Sequence, residues 1–158
     1  MALSEDNAPA VMRGIGRIEA SIIKAEFHKQ KYQQWFTIFM EKIAFSEKFS
    51  KFSDHWTPKV IAEMNDYQFK LVKIQGEFVW HNHSHTDEVF IVIEGSMNIE
   101  FKDRTVELNA GEMYVVPKGI EHKPSAEDEC KIMIVEPRDV VNTGAAEGEL
   151  TADNDLWI

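Results

Sequence analysis

The pattern of apolar and polar positions divides the chain into two parts with different periodicity. In residues 15–45 the apolar side chains recur at steps of three and four, which predicts one amphipathic helix or two short ones. From about Phe69 onward the apolar runs are short and are separated by turn-forming residues, which predicts β-strands. The predicted strands are residues 69–75, 78–83, 88–94, 96–101, 104–108, 112–116 and 130–135.

Many short strands with tight connections favour an antiparallel sandwich or barrel, so we expect an all-β domain. We place its boundary after residue 42, with 1–42 as an N-terminal extension, disordered and then helical, and 43–158 as the barrel domain. Met40 is a natural start for such a domain. Residues 1–39 are therefore either a real helical extension or the result of a start site assigned too far upstream.

Composition and charge narrow the class of protein. The 158 residues, 44% of them apolar, suit one compact domain. The net charge of -10 argues against a nucleic acid or an anionic membrane surface as partner. Cys130 is the only cysteine, no apolar run is long enough to span a membrane, and the N-terminus lacks the pattern of a secretory signal. We therefore expect a cytoplasmic protein.

The segment "WHNHSHTDEVFIVIEG", residues 80–95, contains three histidines at alternate positions followed by two acids. His81 and His83 share one face of an extended strand, with Cα atoms roughly 6–7 Å apart, which allows both imidazoles to bind one metal ion. Glu88 begins an apolar strand, where burial of a lone carboxylate would be costly. His85 falls where the chain leaves the strand, so we expect it at the rim. These residues alone leave open a second interpretation, a polar loop with three exposed histidines.

A second segment, "GEMYVVPKGIEHKP", covers residues 111–124. Pro117 and Gly119 predict a sharp reversal of the chain. That reversal would turn His122 back towards the interior of the barrel.

The two segments together resemble the two motifs of the cupin superfamily. The first motif combines a glycine, His-x-His, a glutamate and a second glycine, and the second combines glycine, Pro-x-Gly and histidine. The spacing before the first histidine is one residue shorter than usual, and Ala126 stands where the family often has asparagine. The matching residues are Gly76, His81, His83, Glu88 and Gly95, then Gly111, Pro117, Gly119 and His122.

The resemblance implies a jelly-roll barrel, also called a double-stranded β-helix, with one divalent metal ion per chain, either Fe, Mn, Ni or Zn. Within the family the chain looks most like the small single-domain members described as phosphomannose-isomerase-like. Three histidines and one glutamate would leave coordination positions open for a small-molecule ligand. The implied ligands are His81, His83, Glu88 and His122.

Two functions from different classes follow from the implied site. The first is an enzyme, isomerase-like or dioxygenase-like, whose metal acts as a Lewis acid or activates oxygen on a small oxygen-bearing substrate. Glu77, Tyr114 and Met113 are candidates to face the same cavity, and Glu77 or Tyr114 could supply acid–base catalysis. The alternative is a non-catalytic protein that binds or senses a small molecule through the metal. A barrel that has lost its metal is the third option.

The strand at residues 88–93 is apolar on both faces, which indicates that both are covered. We therefore expect a homodimer that buries Trp80, Ile91 and Ile93.

Overall fold

Strands account for most of the regular structure in the computed structural model, which describes residues 42–146 and 148–158. This confirms the expected all-β fold. The predicted helices of residues 15–45 lie almost wholly outside the described residues, so the N-terminal extension and its boundary at residue 42 stay predictions. The elements are one short helix, α1 (Phe45–Phe49), and the strands β1 (Lys59–Met64), β2 (Tyr67–Glu77), β3 (Glu88–Glu94), β4 (Ser96–Phe101), β5 (Thr105–Asn109), β6 (Met113–Val116) and β7 (His122–Pro137).

The strands pair in antiparallel fashion around β7. The order along the sheet is β1-β2-β7-β3-β6, and β4 pairs with both β5 and β7. With 16 residues, β7 is long enough to pair with β2 along most of its length, with β3 through its C-terminal half and with β4 through its N-terminal end. One long strand thus joins the two parts of a jelly-roll barrel.

The interior of the barrel is filled by alternate side chains of these strands. Most of them are aliphatic or aromatic, among them Val72, Ile74, Phe90, Val92, Ile99 and Ile132. One end of the interior is different, because the inward positions there carry polar groups. We call this set the polar end; it consists of Gln68, Lys70, Glu88 and Glu136, all buried.

Three strand predictions differ from the structure. β1 was missed, the expected strand 78–83 is reduced to a single bridge at His81, and β7 begins at His122 rather than at residue 130. The stretch "KPSAEDE" after His122 is polar and contains Pro124, which favours a loop in sequence terms. Pairing of this stretch with β4 overrides that local preference, and its inward positions Pro124 and Ala126 are buried.

In the part of the chain that the structure describes, no helix is both long and apolar enough to cross a membrane.

The outer face of β3 packs against a second apolar cluster. Ile91 and Ile93 contact this cluster, whose buried members are Phe49 of α1, Ile61, Leu71 and Met133. Trp80 lies elsewhere, with the Lys102 ammonium 3.8 Å from the centre of its ring. The three residues expected at a homodimer interface therefore do not form one patch, and the homodimer stays a prediction.

The homodimer prediction can be tested on the exposed edge of the same face. Val115 of β6 lies directly opposite Val89 of β3 and is 44% exposed. If β3 and β6 form the interface, Val115→Lys should weaken the dimer roughly tenfold or more, because an unpaired charge is costly in an apolar contact. Gel filtration with light scattering over a dilution series measures this.

Ile120→Lys is the matched control, since Ile120 is equally exposed but lies in the turn before β7. A wild-type protein that elutes as a monomer at all concentrations would contradict the homodimer.

Candidate metal centre

Backbone hydrogen bonds bring the two histidine-containing segments together. The amide of His81 donates to the carbonyl oxygen of His122 at 3.0 Å, and the amide of His122 donates to that of His81 at 2.9 Å. The amide of Gly119 also donates to the carbonyl oxygen of His83, at 2.8 Å. The second segment is thus fixed against the first at both histidines of the His-x-His motif.

The turn before His122 has the predicted form. The amide of Ile120 donates to the carbonyl oxygen of Pro117, and Gly119 has a φ of 77°, a left-handed conformation that favours glycine. The amide of Lys118 donates to the carboxylate of Asp87 at 2.8 Å. Asp87 therefore stabilises the turn.

The structure places all four predicted ligands in one buried cluster. An oxygen of Glu88 lies 3.3 Å from Nε2 of His83 and 3.2 Å from Nε2 of His122. The rings of His81 and His122 have centroids 4.3 Å apart. Potential ligand atoms form two overlapping triplets, each within 4.8 Å: His81, Glu88 and His122, and His83, Glu88 and Glu136. Glu88 belongs to both.

Backbone carbonyls orient two of the imidazoles. Nδ1 of His81 lies 3.0 Å from the carbonyl oxygen of Val79, and Nδ1 of His122 lies 3.0 Å from that of Ile120. Because a carbonyl oxygen only accepts, each Nδ1 must carry the hydrogen and donate it. In a neutral ring this leaves the Nε2 lone pair available, which is the usual arrangement of a metal-binding histidine.

This arrangement fits a divalent cation. A neutral His122 directs its Nε2 lone pair at a carboxylate oxygen of Glu88 only 3.2 Å away, and two acceptors repel at that distance unless a cation lies between them. Nε2 of His83 is also buried and has no hydrogen-bond partner among residues 42–146 and 148–158. Protons on these rings would satisfy the two contacts separately, whereas one metal ion would satisfy both. Imidazole and carboxylate ligands suit Zn, Fe, Mn and Ni.

The electrostatics of the cluster favour a neutral His81 and an ionised Glu88, which are the forms that bind metal. Burial and, to a smaller extent, the neighbouring His122 lower the pKa of His81 to about 4, so this imidazole is neutral at pH 7. Burial alone would raise the pKa of Glu88, but its contacts with His122 and His83 lower it to about 2. Burial would lower the pKa of His83, yet the Glu88 carboxylate raises it above the ordinary value. Glu88 is therefore ionised and available as an anionic ligand.

A small cavity opens beside the cluster. Its volume is about 30 Å³, enough for roughly two water molecules or a few ligand atoms. Trp56 and Phe78 stack with ring centroids 4.8 Å apart and form an aromatic wall. The polar groups that line it include His81, Glu88 and Glu136.

The remaining candidate residues lie away from the cluster. His85 is exposed, as expected for the rim. Glu77 is exposed and pairs with Lys123 at 3.2 Å, and Tyr114 packs on Phe101 while its hydroxyl accepts from Arg104. Met113 is exposed as well. The placement of these side chains does not support the expectation that they face the cavity, and a catalytic role for Glu77 or Tyr114 stays an untested prediction.

Sequence reasoning missed Glu136 and its partner Lys70. Oε1 of Glu136 accepts a hydrogen bond from Nζ of Lys70 at 2.9 Å, deep inside the barrel. Burial and, to a smaller extent, the Glu88 charge raise the pKa of Glu136 to about 7. The alternation of residues along the strand could have identified Glu136 as inward-facing, because it lies on the same face of β7 as Ile132 and Ile134.

Comparisons with known proteins agree with the fold and the motifs. The model of the cupin domain family matches residues 69–136. A cupin-2 domain containing protein from Shewanella frigidimarina is 69% identical, with a TM-score of 0.60 over 61% of this chain and 94% of that one. Protein NMB1881 from Neisseria meningitidis is 33% identical, with a TM-score of 0.57 over 61% of this chain and 99% of that one. The chain belongs to the cupin superfamily.

One curated relative is similar to this chain over part of the length of both proteins. The uncharacterized protein YdbB of Bacillus subtilis is 44% identical over 64 residues, which are 40% of this chain. The match spans 57% of the length of YdbB.

The C-terminal segment closes against the first motif. Gly144 has a φ of 57°, and a Cβ atom added there would overlap the carbonyl oxygen of Asn82 and lie 3.4 Å from Nδ1 of His83. Asn142 binds the same segment to the barrel, because its amide donates to the carbonyl oxygens of Trp56 and Leu150. Glycine at position 144 thus allows the close approach of this segment to the backbone of Asn82, the residue before His83.

Gly144→Ala should lower the free energy of unfolding by about 2 kcal/mol or more, because it combines a strained left-handed φ with a backbone overlap. The same change should reduce metal affinity, since the backbone of Asn82 must move and His83 is the next residue. Thermal unfolding and metal titration measure the two effects.

Gly148→Ala is the control, since a Cβ atom there meets no described atom within 4 Å and the backbone needs no positive φ. Equal behaviour of the two variants would show that the approach at Gly144 does not constrain the site.

Proposed function

We propose that this cupin binds one divalent metal ion per chain through His81, His83, Glu88 and His122, and acts as an enzyme on a small oxygen-bearing substrate. The observation that carries the proposal is the 3.2 Å contact between Nε2 of His122 and a Glu88 oxygen, while Nδ1 of His122 is occupied by the carbonyl of Ile120. A buried acceptor that faces a buried acceptor is unfavourable, and a metal ion between them would relieve this contact together with the unpartnered Nε2 of His83.

The residues around the cluster would orient the ligands, supply a negative charge and exclude water. The carbonyl groups of Val79 and Ile120 hold two imidazoles in the orientation that exposes Nε2. Glu88 supplies the anionic ligand, and the stacked Trp56 and Phe78 exclude water from one wall of the cavity. Burial of the cluster strengthens each electrostatic interaction within it.

A bound ion would supply Lewis-acid polarisation of a substrate oxygen, or redox chemistry if it is iron. Four protein ligands leave room for substrate on an ion that accepts about six. A divalent centre with open positions therefore supports isomerase-like or dioxygenase-like chemistry, depending on the metal that the cell supplies.

Metal content tests the ligand assignment. Elemental analysis of untagged wild-type protein should give about one metal ion per chain. In His122→Ala the affinity for the metal ion should fall roughly tenfold or more, because losing a ligand costs at least as much as losing the hydrogen bond that supports it. His85→Ala is the control, because His85 is exposed outside the cluster. Equal losses in both variants would contradict the assignment.

An open coordination position can be tested separately from turnover. Azide added to the cobalt-loaded protein should change its visible absorption, because catalytic sites keep a position free for an exogenous ligand. The Gly148→Ala protein, whose added Cβ atom meets no described atom within 4 Å, should respond like the wild type. A spectrum that azide leaves unchanged, at one cobalt ion per chain, would mean that the site is closed and structural rather than catalytic.

A further inference from the structure

Glu136 has an unused hydrogen-bonding atom and is one of the residues that line the cavity. The residue is 1% exposed, and its Oε1 accepts from Lys70 at 2.9 Å. Its Oε2 is buried and has no hydrogen-bond partner within the described part of the chain. Glu136 lines the same cavity as His81 and Glu88. A buried carboxylate oxygen without a partner is costly, so its place beside a cavity calls for a partner that enters from there.

The strand register explains why this carboxylate lies next to the metal cluster. Val89 of β3 pairs with Val135 of β7, so one step further along the antiparallel ladder brings Glu88 beside Glu136. Like charges in such a position repel. Lys70 offsets the repulsion from the β2 side, and this ammonium is held in turn by contacts of 3.5 Å with the carbonyl of Val140 and the side chain of Asn154.

We propose that Glu136 selects the ligand of this cupin, its free Oε2 accepting a hydrogen bond from a hydroxyl group of a small neutral molecule whose other oxygens reach the metal cluster. This inference rests on the proposed function. Lys70 is the positioning residue, because it occupies Oε1 and leaves Oε2 as the free acceptor. Neutral hydroxycarbonyl compounds and polyols carry the required donor.

Charge and size support that class of ligand. A ligand with a carboxylate or phosphate at this end would meet Glu136 and Glu88, and the ammonium of Lys70 is already paired. The cavity of about 30 Å³ admits only a few atoms at this depth. Its aromatic wall of Trp56 and Phe78 suits the C–H face of a short carbon chain.

Glu136 could instead be a metal ligand, since it shares a triplet with His83 and Glu88. The ion pair with Lys70 argues against this role, because an adjacent ammonium group repels a divalent cation. The two roles differ in a measurable way, since loss of a ligand lowers metal content and loss of a hydrogen-bond acceptor does not.

The test compares two probes that differ by one hydroxyl group, 1,3-dihydroxyacetone and hydroxyacetone. Each is titrated into the cobalt-loaded protein and followed by visible absorption. Wild-type protein should bind dihydroxyacetone roughly tenfold more tightly, as expected for one hydrogen bond to a charged acceptor. In Glu136→Gln the amide nitrogen replaces the free oxygen, so the preference should fall to within about twofold.

Glu94→Gln is the matched control, because Glu94 also pairs with a lysine, Lys131, at 2.8 Å but on the surface. It should keep the wild-type preference. Should Glu136→Gln fail to fold by thermal unfolding, Glu136→Asp takes its place, since it keeps the charge and withdraws the acceptor from the cavity.

Each result bears on a different statement. Loss of cobalt from Glu136→Gln would make Glu136 a ligand and overturn the inference. Wild-type protein that holds cobalt but binds both probes equally would also overturn it and would leave the proposed metal centre intact. Wild-type protein that binds no cobalt would overturn the proposed function and the selection of ligand with it.

Discussion

The reciprocal backbone hydrogen bonds between His81 and His122 are the contact on which the candidate metal centre depends. They join two segments far apart in the chain, and each histidine is then oriented within its own segment by the carbonyl oxygen two residues before it. The pairing of the two segments therefore sets the position of each histidine, and the carbonyl oxygen two residues earlier sets the orientation of its imidazole. The side chains therefore meet at Glu88 without needing a continuous strand around His81.

The four members of the cluster could be predicted because motif spacing and strand parity are properties of the sequence. His81 and His83 both point inward although residues 78–83 do not form the predicted strand, since alternate side chains of any extended segment share a face. The start of β7 could not be predicted in this way. Its polar N-terminal half gains strand structure only from pairing with β4, an interaction that local preference does not contain.

Glu136 and Lys70 show a different limit of the sequence. Strand parity indicates that each points inward, but nothing local shows that they meet each other or that Glu136 lies beside Glu88. That depends on the registers of β2 and β3 against β7. Register is set by the packing of whole strands, so a site built across three of them becomes visible only in the folded chain.

The charges of the polar end couple the candidate metal centre electrostatically to Glu136, the hydrogen-bond acceptor beside it. Two buried carboxylates, Glu88 and Glu136, face one buried ammonium, Lys70, which leaves one negative charge to be compensated. Burial and the Glu88 charge raise the pKa of Glu136 to about 7, so the group takes up a proton as the pH falls below that value. A divalent cation beside Glu88 would oppose that uptake and keep Glu136 an acceptor. The cation and the acceptor would therefore form one electrostatic unit, in which binding of the first would prepare the second.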